Sequence, residues 1–478
     1  MSEFYNGKCS RVFEIFEEIS AIPRGSGYMD KISKYCVDFA EKCGLKSVRD
    51  DANNVIIYKG GSVGFEDKPP VILQGHLDIV WQKSPDSTID FLNDGISLYR
   101  EGDFLCARDT TLGADNGIAV AMALSILECS NIPHPPIEAV FTTDEEIGML
   151  GAAKLDTSLL SSKRFINLDS EEDDTITVSC AGGSDFKATL PLNRVKKFGC
   201  GIKITLDGLK GGHSGVEINS HRVNANMLAG RLLNSLYEFD FDIISVNGGN
   251  KINAITNHCV IELLCNSQDK LTSSAEQCIN EIKREISYFE ENFSAKFSHL
   301  EEKEYSVFDN EAKTDIIYSL LCVPNGVVEM SAEIEGLVET SLNLGILQTF
   351  DNSVEMQFAL RSNKSSSLRF LEEKLKGFFR KTNAKIKTGG HYPPWEYREN
   401  SPLKNLYIET YEELVGTKPN VLAIHAGLEC AVFSSSIENA DCIAIGPTIF
   451  DAHTVNERLS ISSTEKVYNI LLKLLGKL

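Results

Sequence analysis

Residues 137–148 read IEAVFTTDEEIG. The apolar run 137–141 has the length of a strand; it ends at two threonines and delivers Asp144, Glu145 and Glu146 side by side. Adjacent carboxylates raise one another's pKa unless something positive sits between them, and no Lys or Arg is close by in sequence. Such a triplet is either a solvated turn or a metal-facing one, and only the rest of the chain can decide.

Working outward, the same pattern recurs. After helical periodicity at 11–22 and 29–43 and a strand at 54–58, a strand at 71–74 runs into Gly75-His76-Leu77-Asp78. His and Asp two apart on extended chain share a face. Asp115, in TLGADNG at 111–117, stands before an Ala- and Leu-rich helix at 118–128, where an N-cap is the plain alternative. A strand at 164–168 ends in Asp169-Ser170-Glu171-Glu172. Alternating strand and helix predict an α/β domain, a mostly parallel sheet flanked by helices. Such sheets bind ligands beyond the carboxyl ends of their strands, where His76, Asp115, Glu145, Glu146 and Asp169 all fall.

From about residue 184 the rhythm changes. Strands at 187–191 and 201–207 precede a glycine turn, GGHSG, at 211–215. A helix at 223–236, strands at 243–246 and 260–264, a helix at 276–290, strands at 338–344 and 354–360 and a helix at 368–381 follow. This is an α+β segment with its own core, inserted into the first domain. HYPPW at 391–395 marks the return, through a helix at 402–413, a strand at 421–424, a helix at 428–434 and a strand at 442–445. The segment 446–457, GPTIFDAHTVNE, carries His453, and an amphipathic helix at 463–475 closes the chain. The expected domains are 1–184 and 391–478 for the catalytic part and 185–390 for the insertion.

The net charge of −21 over 478 residues argues against nucleic-acid or anionic-membrane partners, which need a basic face. The longest apolar stretch, 117–127, falls short of the ~20 residues a membrane span needs. The N-terminus has an acid at Glu3 and no apolar signal core, so no secretion is expected. Thirteen scattered cysteines without a C-x-x-C pair argue against a disulfide framework or a thiolate zinc site, and for a reducing, cytoplasmic setting.

His76, Asp78, Asp115, Glu145, Glu146, Asp169 and His453 together offer two imidazoles and several carboxylates, a donor set suited to Zn(II), Mn(II) or Co(II). Five strong ligands serve two ions if one carboxylate bridges, leaving another acid free as a base. GHLD, GADNG, DEEIG, NLDSEE and HTVNE, around an inserted domain bearing GGHSG, resemble the dinuclear zinc peptidases that include carboxypeptidase G, peptidase T and aminoacylase. HAGLEC at 425–430, NAI at 253–255 and IGPTI at 445–449 are similar, more narrowly, to the aminoacyl-histidine dipeptidases (Xaa-His, carnosinase-like).

The resemblance implies a zinc exopeptidase-like catalytic domain with an inserted lid. It makes Asp115 the bridging carboxylate, with a cis peptide bond after it. His76 and Asp169 complete one metal site, and Glu146 and His453 the other. Glu145 is the general base, Asp78 orients the His76 ring, and His213 of the inserted domain, from its own chain or across a dimer, reaches the substrate carbonyl. The expected reaction is hydrolysis of Xaa-His dipeptides, Glu145 taking a proton from the attacking water and returning it to the leaving amine. Arg361 is the candidate grip on the substrate carboxylate, with a salt bridge inside the insertion as the alternative. Asn253 and Asn343 are candidate polar contacts. His425 is near the cleft by family position or is a satisfied structural histidine. The loop at His453 reads AHTVNE where the branch reads PHSPDE, which keeps the ligand and puts substrate preference in question. An N-acyl amino acid deacylase, a tripeptidase and a non-catalytic metal-binding homologue are the alternatives. Small peptides are the expected partners of a monomer or homodimer.

Overall fold

The structure, a computed structural model, describes residues 7 and 9–478; the reading built on Glu3 falls outside them. The chain forms two compact units, residues 1–180 with 397–423 and 428–478, and residues 181–396 with 424–427. The first switch comes at Cys180, earlier than a change at 184, because only Ala181 separates the strands Thr175–Cys180 and Gly182–Pro191 and no turn residue punctuates the run. The second comes after Glu396, because Lys385–Tyr392 pairs with Gly182–Pro191 and holds the HYPPW segment's start in the second unit.

In the first unit the sheet order is Lys46–Arg49, Val55–Lys59, Ile137–Thr142, Val71–His76, Arg164–Asn167, Asp441–Ala444, Thr175–Cys180, Asn420–Ile424. The middle four strands are parallel. On the flanks, Lys46–Arg49 with Val55–Lys59, Val55–Lys59 with Ile137–Thr142, and Asp441–Ala444 with Thr175–Cys180 pair antiparallel. Residues 168–174 are too short a link for the helical crossover that a parallel return would need. Val71–His76 and Ile137–Thr142 are buried at every position, as expected where both faces are covered. Register sets His76 beside Thr142 and Gln74 beside Asn167, so three acid- or histidine-bearing segments leave the sheet at one end. The helix Ala114–Glu128 is buried on nearly all sides, which its run of Ala, Ile, Leu and Met permits. Pro402 opens Pro402–Val415 behind the Ser401 cap, and Gly416, at φ 88°, closes it.

A small sheet, Ile449–Phe450, Arg458–Ser460, Phe104–Ala107, Leu98–Glu101, pins both ends of the loop that carries His453. Its two N-terminal strands, Leu98–Glu101 and Phe104–Ala107, are four residues each, too short to show a period in sequence.

The second unit is a nine-stranded sheet with antiparallel pairing: Ser294–Phe308, Arg194–Asp207, Cys259–Cys265, Phe241–Gly248, Val338–Thr349, Ser353–Ser362, Gly182–Pro191 and Lys385–Tyr392, with Gly326–Met330 paired to Val338–Thr349. Helices Ala225–Ser235, Gln268–Ile286, Asn310–Cys322 and Ser365–Phe379 pack on it around Phe186, Phe358 and Phe379. The helix expected at 276–290 begins at Gln268: Leu271 and Ala275 extend its buried stripe, although the Ser and Thr between them weaken the pattern. Among the described residues no disulfide joins the cysteines. Among the described residues no helix is long and apolar enough to cross a membrane.

Candidate metal centre

Each candidate in the first unit arrives by a separate local device. His76 ends its strand and is 1% exposed. Its Nδ1 lies 3.0 Å from the Asp78 backbone carbonyl and 3.5 Å from Asp78 Oδ1. Asp78, fully buried, also accepts the Glu145 N–H (3.0 Å), the Glu146 N–H (3.2 Å) and the Ser26 hydroxyl (2.9 Å). It therefore anchors the DEEIG turn as well as the ring. Burial acts to raise the Asp78 carboxyl, but the bonds from His76, Glu145 and Ser26 hold it below its ordinary value.

Asp115 does not cap the helix in the usual manner. Its φ/ψ of −78°/106° is non-helical, and the Asp115–Asn116 peptide is cis. Asn116 then accepts the His76 N–H (3.1 Å) and donates to the Leu168 carbonyl (2.9 Å). The two Asp115 oxygens part company: Oδ1 is 3.1 Å from His76 Nε2, and Oδ2 is 2.9 Å from His453 Nε2. Asp169 Oδ1 lies 3.5 Å from His76 Nε2, and Glu146 Oε1 lies 3.0 Å from His453 Nε2. Glu171 and Glu172 are exposed.

These donors fit divalent ions. Ligand atoms of His76, Asp115 and Glu146 lie within 4.8 Å of one another. Glu146 Oε1 is buried yet aligned with no donor. Two sets, His76–Asp115–Asp169 and Asp115–Glu146–His453, share one carboxylate. Glu145 stands beside them: burial pushes its carboxyl up to about 8, with the carboxylates of Glu429, Glu146 and Asp115 adding to the rise and His76 opposing it. The hydrogen bond to Asp115, with the Glu146 carboxylate close by, pushes His453 up to about 11.

These upward shifts carry a sign for stability. The folded, metal-free centre binds more protons than the unfolded chain, so its stability falls as pH rises, between 4.5 and about 8 for Glu145 and between 6.5 and about 11 for His453. The melting temperature of metal-free protein is expected to drop from about pH 6 to about pH 9, and added zinc, which replaces those protons, to remove the drop. Calorimetry at the two pH values checks this; a midpoint that rises with pH contradicts it.

In the second unit, His213 sits on the two-residue strand Gly212–His213, paired with Ala254–Ile255. Its Nδ1 faces the N–H groups of Gly215 and Val216, both at 3.3 Å. Arg361 Nη2 lies 3.4 Å from that Nε2, and Arg361 Nη1 donates to the Tyr392 hydroxyl at 2.8 Å. A phenol and an imidazole meet this guanidinium, and its Nε has no hydrogen-bond partner. Exposed Asn253 accepts the Ser214 N–H through its carbonyl.

Two of the expected substrate contacts have partners within the second unit. Asn343 is 1% exposed, and its amide is taken up by the carbonyls of Ile252 and Ala254 and by Asn224; it braces the Asn253 loop. His425 is 6% exposed, held by Ser341 (2.7 Å) and Asn363 (3.2 Å), and burial pushes it down to about 3.

Sequence reasoning passed over Glu429, although HAGLEC contains it. Glu429 is fully buried and accepts from Thr142 Oγ1 (2.7 Å) and Gln74 Nε2, while Gln74 accepts from Asn167 at 2.6 Å. This polar layer ties together the strands Val71–His76, Ile137–Thr142 and Arg164–Asn167. Arg24 and Glu457 were passed over as well.

Comparison with known proteins identifies the family. The model of Peptidase family M20/M25/M40 matches residues 72–477. The cytosol non-specific dipeptidase of Escherichia coli (strain K12) is 37% identical, covering 100% of this chain and 99% of its own. The crystal structure of aminoacylhistidine dipeptidase from Vibrio alginolyticus superposes with a TM-score of 0.91 at 35% identity, over 100% of this chain and 99% of that one. Human carnosine dipeptidase 1 shares the fold, with a TM-score of 0.51 at 14% identity over 98% and 96% of the two chains. With residues 72–477 matched by the family model and a relative at 37% identity over the full length, the chain belongs to Peptidase family M20/M25/M40.

Proposed function

We infer that this chain hydrolyses dipeptides with two divalent ions, most simply Zn(II), one held by His76, Asp115 and Asp169 and the other by Asp115, Glu146 and His453. The observation that carries the reading is that the two oxygens of Asp115 face two different histidines. When bound, the ions supply Lewis-acid polarisation of the scissile carbonyl and of water.

The protein's own part is proton transfer and orientation. Glu145 takes the proton of the attacking water and returns it to the leaving amine as the C–N bond breaks. A carboxyl pushed upward suits both directions of that transfer. Asp78 keeps Glu145 in place through its backbone N–H and steadies His76. His213 as donor to the carbonyl oxygen, Arg361 as grip on the substrate carboxylate and Asn253 as a polar contact rest on the family pattern and on their chemistry. Thirteen cysteines without a disulfide support a cytoplasmic, reducing setting.

A chelator is expected to lower dipeptide hydrolysis by on the order of 10³-fold or more, with Zn(II), Mn(II) or Co(II) restoring it. Full turnover in exhaustively metal-free protein would refute the reading. A panel of Xaa-His dipeptides, other dipeptides, tripeptides and N-acyl amino acids decides the substrate class: the Xaa-His assignment predicts the highest kcat/KM for the first group.

A further inference from the structure

Two buried groups of opposite charge have no part in the chemistry above, and both act on the turn that carries Asp115. Glu457 is 3% exposed and follows His453 by four residues. Its carboxylate accepts four consecutive backbone N–H groups: Oε2 from Leu112 (2.9 Å) and Gly113 (3.0 Å), Oε1 from Ala114 (2.8 Å) and Asp115 (3.3 Å). Arg24, 1% exposed, meets the same turn from its carbonyl side. Nη2 donates to the Gly113 carbonyl (2.6 Å) and Nη1 to that of Leu77 (3.1 Å), the residue after His76.

An ordinary cap satisfies one or two N–H groups at a helix start. Here the backbone is non-helical at Asp115 and Asn116, and a single carboxylate answers for the whole turn. Glycine is required for this approach. Gly113 has φ +69°, and a Cβ there would lie 2.8 Å from Arg24 Nη2; at Gly117 the gap would be 2.4 Å.

We propose that Glu457 and Arg24 are positioning residues, a charged clip that sets the two Asp115 oxygens between His76 and His453. The clip joins the three segments that must agree for one carboxylate to serve two ions: the residue after His76, the Asp115 turn, and the loop of His453. The inference rests on the dinuclear reading. It gives the glutamate of HTVNE and the arginine at 24 a task in building the centre, without contact to substrate.

The test uses full-length, metal-stripped protein titrated with zinc against a chromophoric chelator. The unaltered chain, Glu457→Gln and Arg24→Lys are compared, with kcat and KM on one dipeptide and the visible spectrum of the Co(II) form. Gln keeps the shape but turns an NH₂ toward two N–H donors; Lys keeps the charge but loses the fork that reaches two carbonyls. Folded variants are expected to bind zinc ~10–100-fold more weakly, to lose kcat with KM nearly unchanged, and to show shifted Co(II) bands. Folded variants with unaltered zinc affinity and Co(II) spectrum overturn the clip, even if they melt lower. If Glu457→Gln does not fold, Arg24→Lys decides by the same readouts. If neither folds, the pair serves the fold and not the centre, and the proposal also falls. An unaltered chain that takes up fewer than two ions removes the dinuclear reading itself, which separates that failure from failure of the clip.

Discussion

Glu145→Ala is expected to bind two ions per chain and to lose ~10²–10⁴-fold in kcat, the usual span for a general acid–base group. The histidines meet Asp115, Asp169 and Glu146, so truncating Glu145 removes none of the proposed ligands. Its turn persists because Asp78 holds it through the backbone N–H groups of Glu145 and Glu146, which the substitution leaves intact. KM should change little, since the lost interaction belongs to the transition state. Metal analysis beside steady-state kinetics checks both halves. An active variant removes Glu145 as the base; an inactive variant that has also lost an ion would make it a ligand.

Asp115→Ala has the opposite signature. One side chain contributes to both ligand sets, so its loss should lower the uptake of both ions together and take turnover down with them. A loss of ~10–100-fold in affinity is what even an outer contact costs, and a shared ligand should exceed it. His453→Ala is the control: it should weaken the Asp115–Glu146 set and spare the His76–Asp169 set. The backbone of the Asp115 turn does not depend on the deleted carboxylate, because Glu457 and Arg24 bond to its N–H and C=O groups. Metal stoichiometry by elemental analysis distinguishes the outcomes. If Asp115→Ala loses one ion and keeps the other at full affinity, Asp115 does not bridge.

The central strands are legible in sequence because both of their faces are covered. Ile137–Thr142 and Val71–His76 read as unbroken apolar runs, and each ends where a polar segment begins. Strand–helix alternation then implies that these ends cluster, and register bears that out for His76 beside Thr142. Asp115 is different. Spacing alone offers an N-cap, and only the ordered motifs around it suggest a bridge; its non-helical backbone leaves no trace in residue periodicity. The antiparallel flanks are hidden for a related reason, since pairing direction depends on how the chain returns and not on the strand's own residues.

Long-range polar partners are the least legible. Glu429 meets Gln74 and Thr142, and Glu457 meets the turn at Leu112 to Asp115, across hundreds of residues of chain. Both glutamates lie inside quoted motifs, yet a motif does not say which of its members faces inward. Asn343 and His425 are hard to read for the converse reason. Amide and imidazole groups are as apt to bind backbone as ligand, and here Ile252, Ala254, Ser341 and Asn363 have claimed them.

The most direct test of the central claim is anomalous diffraction at the zinc edge from crystals of zinc-loaded protein. The account predicts two peaks ~3.5–4 Å apart, with one Asp115 oxygen toward each, His76 and Asp169 on one peak and Glu146 and His453 on the other. A single peak, or two peaks that Asp115 does not join, contradicts it.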